Sequence, residues 1–389
     1  MGIQPQRVCD RRVEVMSKRP KYHFTPKRGW MNDPNGPVYF RGEYHLFFQH
    51  DPNALSWGLM HWGHAKSKDL RTWEELPIAL YPDEQGAVFS GSAFVDTENV
   101  GGFGTFDEPA LLLFYTSHNM QTGREMQCLA YSTDGRNFTK YKNNPVIPGT
   151  EGTPARDPQI FRNRILGGYS ICLTTEKCVE FYHSEDLIHW DKTGEFTLPS
   201  FALQGMIECP CLIFDTKDCL MLSMEIPESE FAKLPKETVP HTRLMQYFIG
   251  DFNGRTFVAD PKNSEVLPVD CGEDFYAGTV FANTDENILI AWLGDFSEGA
   301  RNAGTKEEGF QGVLSYPRLL KIKETPKGYR LWQKFYPVPL PDGAAYNETS
   351  DGAEFTDGCV KEIIKDNGFL TITSYQTCYN KNVVGGGTK

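Results

Sequence analysis

The chain contains 389 residues, of which 40% are hydrophobic and 23% are charged, a composition typical of a soluble globular protein with a full core. Its net charge of −12 argues against nucleic acid as a partner, because phosphate contacts require clusters of Lys and Arg. Aromatic residues reach 13%, a content that favours strands and sugar-binding surfaces, since flat rings pack on pleated sheets and on sugar faces.

We expect no targeting or membrane-spanning segment. Residues 1–15 are polar and basic without an apolar stretch, and no later stretch is long and apolar enough for a transmembrane helix. The ten cysteines show no spacing typical of a disulfide framework or a zinc site. The sequence therefore predicts an N-terminal extension over residues 1–22, reduced cysteines and a cytoplasmic protein without a membrane partner, a metal or a cofactor.

The first distinctive segment is Trp30–Gly36, with the sequence WMNDPNG. Its proline and glycine favour an irregular backbone, because proline fixes φ and glycine permits positive φ. Asn32 offers fixed hydrogen bonds, and Trp30 offers a flat apolar wall. The segment is also consistent with an ordinary turn before a strand. It suits a carboxylate, that of Asp33, held rigidly beside a sugar ring.

Short apolar and aromatic runs follow along the chain, separated by turn residues and without long amphipathic helical stretches. This pattern predicts an all-β protein built from short strands. The runs are Val38–Phe40, Tyr44–Phe48, Ala110–Thr116, Gly168–Thr175, Val179–His183, Cys219–Glu225 and Ile288–Trp292.

A motif of the form Ser-x-Asp, with Trp or Phe four positions after the aspartate, recurs between these runs. Its copies are Ser67–Trp73, Ser132–Phe138, Ser184–Trp190 and, more loosely, Asp251–Phe257. The closing aromatics lie 65, 52 and 67 residues apart. An aspartate turn closed by a buried aromatic predicts a hairpin at a fixed place in each repeat.

A second series of residues has a similar period, with separations of 57, 67, 51 and 68 residues. Its members are Asp33, Ser90, Asp157, Glu208 and Tyr276. Two interleaved series predict about five copies of one β unit, and hence a five-bladed β-propeller over residues 23–322. Because the same position of every blade faces the central channel, we expect these residues to meet in one pocket.

Three carboxylates of this series, Asp33, Asp157 and Glu208, are followed by a proline directly or after one residue. Glycoside hydrolysis needs two carboxylates across the scissile bond: one protonates the leaving oxygen, and the other attacks the anomeric carbon or activates water. A third carboxylate can hold ring hydroxyls and stabilise the positive charge of an oxocarbenium-like transition state. Three carboxylates that meet in one pocket would suit this chemistry.

The ordered set of motifs resembles glycoside hydrolase family 32, the β-fructofuranosidases that include invertases, inulinases and levanases. The resemblance extends from about His23 to about Leu320, and its specificity lies in the order of the set rather than in any one motif. The motifs are Trp30–Gly36, Phe48-Gln49 with Pro52, Trp62-Gly63-His64, Phe89–Ser92, Arg156–Pro158, Glu208–Pro210, Asp274–Ala277 and Tyr316–Arg318.

The resemblance implies a retaining double displacement on terminal β-fructosyl units. Asp33 matches the family's nucleophile, Glu208 its acid/base and Asp157 its transition-state stabiliser. A retaining enzyme is expected to hold the two reacting carboxyl groups about 5–5.5 Å apart. We further expect Arg156 to keep the adjacent Asp157 ionised. By the same comparison, the substrate-binding residues are Trp30, Asn32, Gln49, Trp57, Phe89, Ser90, Arg156, Tyr276 and Trp292.

The C-terminal part departs from the family pattern. Family members carry a β-sandwich of more than a hundred residues after the propeller, whereas only about seventy residues follow Leu320 here. We therefore expect residues 323–389 to form a linker and an incomplete or truncated β-sandwich module, with strands over Tyr329–Phe335 and Phe369–Ser374. A propeller face left uncovered would favour association between copies of the chain. Gly278-Thr279 also differs from the family's usual continuation, at one edge of the pocket.

The expected substrate is a small carbohydrate, either sucrose or a short fructan. Three alternatives stay open. A fructosyltransferase would use the same catalytic residues with a sugar in place of water as the acceptor. A sucrose-6-phosphate hydrolase would require a basic group on the glucose side, which the sequence does not locate. The alternative of another class is a truncated, non-catalytic sugar-binding propeller, and the three carboxylates argue against it.

Overall fold

The computed structural model of the protein describes residues 19–294, 296, 305–337 and 345–375. Most of the predicted N-terminal extension and the end of the predicted C-terminal module, residues 1–18 and 376–389, lie outside the described residues. Within the described ranges, the helices are short 3-10 segments, and none is long and apolar enough to span a membrane. These segments are Glu228–Lys233, Lys306–Glu308 and Asp366–Gly368.

Five antiparallel sheets follow one another in chain order as the blades of a β-propeller, which confirms the predicted fold. Blade 1 contains Gly29–Phe40, Glu43–Asp51, His61–Ser67 and Glu74–Leu80. Blade 2 contains Ala87–Asp96, Ala110–His118, Glu125–Ser132 and Thr139–Lys140. Blade 3 contains Ala155–Arg162, Tyr169–Thr175, Cys178–Ser184 and Asp191–Thr197.

The remaining two blades have the same strand order. Blade 4 contains Met206–Ile213, Asp218–Glu225, Arg243–Phe252 and Phe257–Ala259. Blade 5 contains Tyr276–Val280, Asn287–Leu293, Arg318–Thr325 and Gly328–Phe335, and the short strand Val313–Leu314 pairs with its second strand. The ring closes where Phe310–Gln311 pairs in parallel with the first strand of blade 1.

Apolar side chains fill the gaps between neighbouring blades. Five buried clusters each join two adjacent blades, including blades 5 and 1. Between blades 1 and 2, for example, Phe47 and Trp62 pack with Leu113 and Tyr115, and all four are at most 1% exposed. Because both faces of a blade are covered by its neighbours, the strand Ala110–His118 is buried along nearly its whole length, and its first six residues are all apolar instead of alternating.

The Ser-x-Asp motif forms the same turn in blades 1, 2 and 3, between the third and fourth strands, as the repeat predicted. In blade 1, the Ser67 hydroxyl donates to Asp69, and the Asp69 carboxylate accepts the backbone N–H groups two and three residues later at 2.9 and 2.8 Å. Asp134 and Asp186 make the same two contacts in blades 2 and 3. The motif is therefore a local signal for the last hairpin of a blade.

Blade 5 continues beyond residue 322, where we predicted the propeller to end, because that residue lies inside the strand Arg318–Thr325. The next strand, Gly328–Phe335, pairs with it along its whole length. Tyr329–Phe335, which we assigned to the C-terminal module, is consequently part of the outer strand of blade 5. The structure moves the boundary of the propeller to Phe335.

A separate four-stranded antiparallel sheet follows the propeller. Its strands are Ala345–Thr349, Gly352–Asp357, Val360–Lys365 and Leu370–Tyr375. The last strand overlaps the predicted strand Phe369–Ser374. Its Thr371 and Thr373 carbonyls accept backbone N–H groups of Cys271 and Glu273, at 2.8 and 3.1 Å, from the segment between blades 4 and 5. This sheet therefore covers part of blade 5, where its Cys359 and Val360 join a buried apolar cluster.

A buried network of charged side chains fastens this sheet to the propeller. Arg318, fully buried, donates to Glu362 of the sheet and to Asp270 of the segment before blade 5, the latter at 3.0 Å. His23 contacts Glu362 through Nε2 and Asp357 through Nδ1, each at 2.8 Å. Buried ion pairs stabilise a fold only when every partner is satisfied, because desolvating a lone charge costs several kcal/mol. The network thus ties three distant parts of the chain together.

The protonation of His23 makes this attachment sensitive to pH. Burial alone would lower the pKa of His23, but its hydrogen bonds to Asp357 and Glu362 outweigh burial and raise the pKa to about 9. The folded-state pKa therefore lies above the unfolded value, so the stabilisation is complete below about pH 6.5 and is lost as the pH rises towards 9. The difference between the two limits is about 3 kcal/mol.

We expect His23→Gln to remove this pH dependence. Between pH 6 and pH 9.5, the free energy of unfolding of the wild-type protein should fall by about 3 kcal/mol more than that of the variant. Urea unfolding of both proteins at the two pH values measures the difference. If the free energy of unfolding changes equally in the two proteins between pH 6 and pH 9.5, His23 is not charged in the folded state.

Candidate active site

A β-bulge occurs at the same place in the first strand of all five blades. At each place two residues of the first strand lie opposite one residue of the second strand. These pairs are Asn32-Asp33, Phe89-Ser90, Asp157-Pro158, Cys209-Pro210 and Ala277-Gly278. A bulge takes side chains out of regular alternation and re-aims them. Five equivalent bulges therefore aim side chains from every blade at one end of the central channel.

The channel opens at this end into a cavity of about 390 Å³. It brings together all five members of the polar series that the sequence analysis identified. Ten of the twelve predicted site residues line it: Asn32, Asp33, Gln49, Trp57, Phe89, Ser90, Arg156, Asp157, Glu208 and Tyr276. Gly278-Thr279 departs from the family pattern, but this departure does not remove Tyr276 from the cavity. Gly278 is the second residue of the bulge, and Tyr276 directly precedes that bulge.

Trp30 and Trp292 do not line the cavity. Their side chains are 4% and 1% exposed, and their rings meet edge to face at 6.0 Å. The structure thus corrects their predicted role as walls of the sugar site. Trp30 acts through Asn32 instead, because its indole N–H donates to Asn32 Oδ1 at 2.8 Å and fixes the orientation of that amide.

The Asp33 carboxylate is held by residues from three blades. Asn32 Nδ2 donates to its Oδ1 at 3.0 Å, and Ser90 Oγ donates to its Oδ2 at 2.6 Å. The thiol of Cys209 lies 3.6 Å from the same Oδ2. These contacts fix the carboxylate without the involvement of a positive charge.

Asp157 is held by its backbone as well as by its side chain. It adopts a φ of 63°, and its N–H donates to Thr116 Oγ1 at 3.0 Å. Its Oδ2 accepts the backbone N–H of Cys209 at 2.9 Å and lies 3.6 Å from the Cys209 thiol. Cys209, itself at a φ of 47°, therefore links Asp157 to Asp33 through one sulfur atom. Left-handed conformations at non-glycine residues are uncommon and concentrate at functional sites.

The Glu208 side chain is 21% exposed and accepts hydrogen bonds from two donors. The Tyr276 hydroxyl donates to its Oε2 at 2.8 Å, and Arg156 Nη2 donates to its Oε1 at 3.3 Å. Arg156 is fixed in turn by Glu125, which accepts from Nη1 at 3.2 and 3.3 Å. His118 Nδ1 lies 3.2 Å from Glu125 Oε1, so a continuous chain of polar contacts runs from His118 to Glu208.

Burial raises the pKa of both aspartates. For Asp33, burial has the largest effect, the hydrogen bond from Ser90 opposes it, and the charge of Glu208 adds to it. Burial raises the pKa of Asp157 to about 7. We had expected Arg156 to keep Asp157 ionised, and its charge does lower this pKa, but burial together with two neighbouring carboxylates outweighs it. Asp157 is therefore fully ionised only above neutral pH.

The sequence analysis missed four residues that line the cavity: His118, Glu125, Arg243 and Phe296. It also missed the position of Cys209 between the two aspartates. His118 ends the second strand of blade 2, Glu125 begins the third, and Arg243 begins the third strand of blade 4. A periodicity of positions in the first strands cannot reveal residues that lie on second and third strands. The sequence signal for these residues was a charged or polar residue at the end of an apolar run.

Potential metal ligands cluster elsewhere. In the described part of the chain, the group whose ligand atoms lie close enough to share an ion is Cys178, Glu180 and Glu195 of blade 3. Lys192 Nζ donates to both glutamates, at 2.6 and 2.5 Å, and so already supplies a positive charge there. The group lies outside the cavity and offers nothing to its chemistry.

Comparison with known proteins adds an independent line of evidence. Residues 23–334 match the sequence profile of the "Glycosyl hydrolases family 32 N-terminal domain". The chain is 40% identical to a levanase of Bacillus subtilis (strain 168) over 324 residues, which are 81% of this chain and 46% of the levanase. It is 36% identical to an invertase of Schizosaccharomyces pombe over 326 residues, 79% of this chain and 54% of the invertase.

The fold has solved counterparts. The crystal structure of an exo-inulinase from Aspergillus awamori superposes with a TM-score of 0.78 at 25% identity and covers 93% of each chain. The chain spans about half the length of the curated relatives it matches.

Proposed function

The chain belongs to glycoside hydrolase family 32, and from this premise we propose that it is a retaining β-fructosidase. It would release terminal fructosyl units from small β-fructosides, with sucrose as the first substrate to test. The observation that carries the proposal is the convergence of Asp33, Asp157 and Glu208 in one cavity at the end of the channel. Levanase, invertase and exo-inulinase are the activities named for relatives of this chain.

Asp33 is the proposed nucleophile. Its Oδ2 accepts from Ser90 and from the Cys209 thiol, whereas its Oδ1 accepts one hydrogen bond, from Asn32, so the carboxylate is fixed and Oδ1 keeps a lone pair for attack. Attack on the anomeric carbon of fructose breaks the glycosidic bond and forms a fructosyl ester. Fixing the attacking group in advance lowers the entropic part of the barrier.

Glu208 is the proposed acid/base. Tyr276 and Arg156 hold one carboxyl oxygen each, so the group has a defined orientation at the wall of the cavity. It would first donate a proton to the leaving oxygen, and the resulting carboxylate would then take a proton from the water that cleaves the ester. The same residue serves both steps because the leaving group and the water approach from one side.

Asp157 is the proposed stabiliser of the transition state. The backbone N–H of Cys209 holds one oxygen, and the remaining lone pairs are available to fructose hydroxyls. Hydroxyl donors favour the ionised form of a carboxyl group. Because the pKa of this group is about 7, substrate binding near neutral pH would shift it towards the carboxylate that stabilises an oxocarbenium ion.

Transfer to methanol tests the retaining mechanism. In buffer with methanol, a double displacement through Asp33 should give methyl β-fructofuranoside from sucrose, because two inversions restore the configuration. NMR of the early products identifies the anomer before any secondary reaction. Methyl α-fructofuranoside as the main product would contradict the proposed role of Asp33 and the separation of about 5–5.5 Å that retention requires.

A further inference from the structure

We infer that Glu125 is a positioning residue for acid catalysis: it shares the Arg156 guanidinium with Glu208 and so limits how strongly Arg156 pairs with the acid. This inference rests on the proposed function and adds to it a residue of the same cavity that has no role in the steps assigned above.

Glu125 is a buried, ionised carboxylate in the wall of the cavity. Its side chain is 4% exposed. Burial raises the pKa of Glu125, but the hydrogen bond from His118 and the charge of Arg156 outweigh burial and lower the pKa. Its Oε2 also accepts the backbone N–H of Ala155 at 2.8 Å. Because a buried charge is costly unless it is paired, these three contacts fix the carboxylate in one place.

Arg156 lies between Glu125 and Glu208. Its Nη1 donates to both oxygens of Glu125, at 3.2 and 3.3 Å, whereas its Nη2 donates to one oxygen of Glu208 at 3.3 Å. Burial lowers the pKa of Arg156, but the charges of Asp157, Glu125 and Glu208 outweigh burial and raise it. One guanidinium therefore interacts with three carboxyl groups, and Glu125 engages one of its nitrogens with both oxygens.

This sharing matters because the proposed acid must carry a proton. A nearby positive charge favours the ionised form of a carboxyl group, and a bidentate pair with arginine is the strongest form of that contact. Glu125 occupies Nη1, so Arg156 reaches Glu208 through Nη2 alone. The negative charge of Glu125 also offsets the charge of the guanidinium. Both effects help Glu208 to keep the proton that the leaving oxygen needs.

Other charged and titratable groups of the cavity act on every substrate that shares the fructosyl unit. Among the described residues, these groups are Asp33, His118, Asp157, Arg243 and Tyr276, together with Cys209 between the two aspartates. Only the requirement for a proton on the leaving oxygen distinguishes sucrose from an aryl fructoside. A comparison of the two substrates therefore isolates the effect on the acid.

The test measures kcat/KM against pH for sucrose and for p-nitrophenyl β-fructofuranoside in Glu125→Gln. The amide keeps the shape of the side chain but removes its charge. The alkaline limb for sucrose should move about one pH unit lower, so that kcat/KM above this limb falls about tenfold. The value for the aryl substrate should change by less than about threefold at every pH, since nitrophenolate leaves without a proton.

Two further variants serve as controls. Glu125→Asp retains the charge and should return most of the alkaline limb to its wild-type position. Glu98→Gln changes a glutamate whose side chain is 56% exposed in an ion pair with Arg162, and it should leave both pH profiles unchanged.

An alkaline limb at the wild-type position in Glu125→Gln, in a protein that still cleaves the aryl substrate, would overturn this inference and leave the proposed function standing. Equal losses on both substrates at every pH would also overturn it, because they would show a purely structural role. The same holds if Glu125→Asp shifts the limb as far as Glu125→Gln. If the wild-type protein cleaves neither substrate, the proposed function fails, and this inference fails with it.

Discussion

Replacing Asp33 by Asn should lower kcat on sucrose by at least about 10⁴-fold while leaving the folded structure intact. An amide has the same shape as the carboxylate but does not form the fructosyl ester. The fold should tolerate the change, since burial and the charge of Glu208 already raise the pKa of Asp33 and so disfavour its charged form. The unfolding temperature of Asp33→Asn should therefore equal or exceed that of the wild-type protein.

Initial rates of glucose release, together with thermal unfolding, measure both effects. Asp191→Asn is the matched control, since this aspartate is exposed at the start of the last strand of blade 3. It should retain full activity. A folded Asp33→Asn protein with more than a few per cent of wild-type kcat would rule out Asp33 as the nucleophile.

Replacing Glu208 by Gln should have an effect that depends on the leaving group. On sucrose, kcat/KM should fall by about 10³-fold or more, because the glucosyl oxygen needs a proton as it leaves. On p-nitrophenyl β-fructofuranoside the first step should be nearly unaffected, since nitrophenolate leaves without one. The second step lacks its base, so the fructosyl-enzyme should accumulate as a burst of nitrophenol.

Azide supplies the decisive observation for Glu208→Gln. As an anion that needs no general base, it should speed turnover of the aryl substrate and give fructosyl azide. Glu151→Gln, at an exposed position between blades 2 and 3, is the control and should behave as wild type. Equal losses on both substrates, without rescue by azide, would contradict the assignment of Glu208 as acid/base.

The propeller could be predicted because its strongest signals are local. The carboxylate of Asp69 bonds to the backbone two and three residues later, so the turn is encoded within one short motif wherever it recurs. The first-strand series could be predicted because all five blades carry the bulge at an equivalent position. Asp33 and its counterparts therefore share one period although they are different residue types.

What could not be predicted depends on contacts between distant parts of the chain. The packing of Trp292 against Trp30 is decided where blade 5 meets blade 1, and it takes both rings out of the cavity. The outer strand of blade 5 was misassigned because only its pairing with Arg318–Thr325 identifies it. Arg243 reaches the cavity because of strand length and register in blade 4, neither of which its own sequence neighbourhood determines.

The ionisation state of the site carboxyl groups was the property that the sequence predicted least well. The sequence shows Arg156 beside Asp157, which argues for a low pKa. The structure adds the burial of Asp157 and its proximity to Glu208 and Asp33. Together these effects raise the pKa of Asp157, although Arg156 lowers it. A charge adjacent in sequence is thus a poor guide when the group is buried among like charges.

The most direct test of the account is the release of free glucose and free fructose from sucrose by the purified chain. The proposed hydrolysis predicts equal amounts of the two sugars from the first minutes of the reaction. Glucose in excess of fructose would mean that fructosyl units pass to a sugar acceptor instead of water. A folded, monodisperse protein that releases neither sugar, from sucrose or from the aryl fructoside, would contradict the central claim.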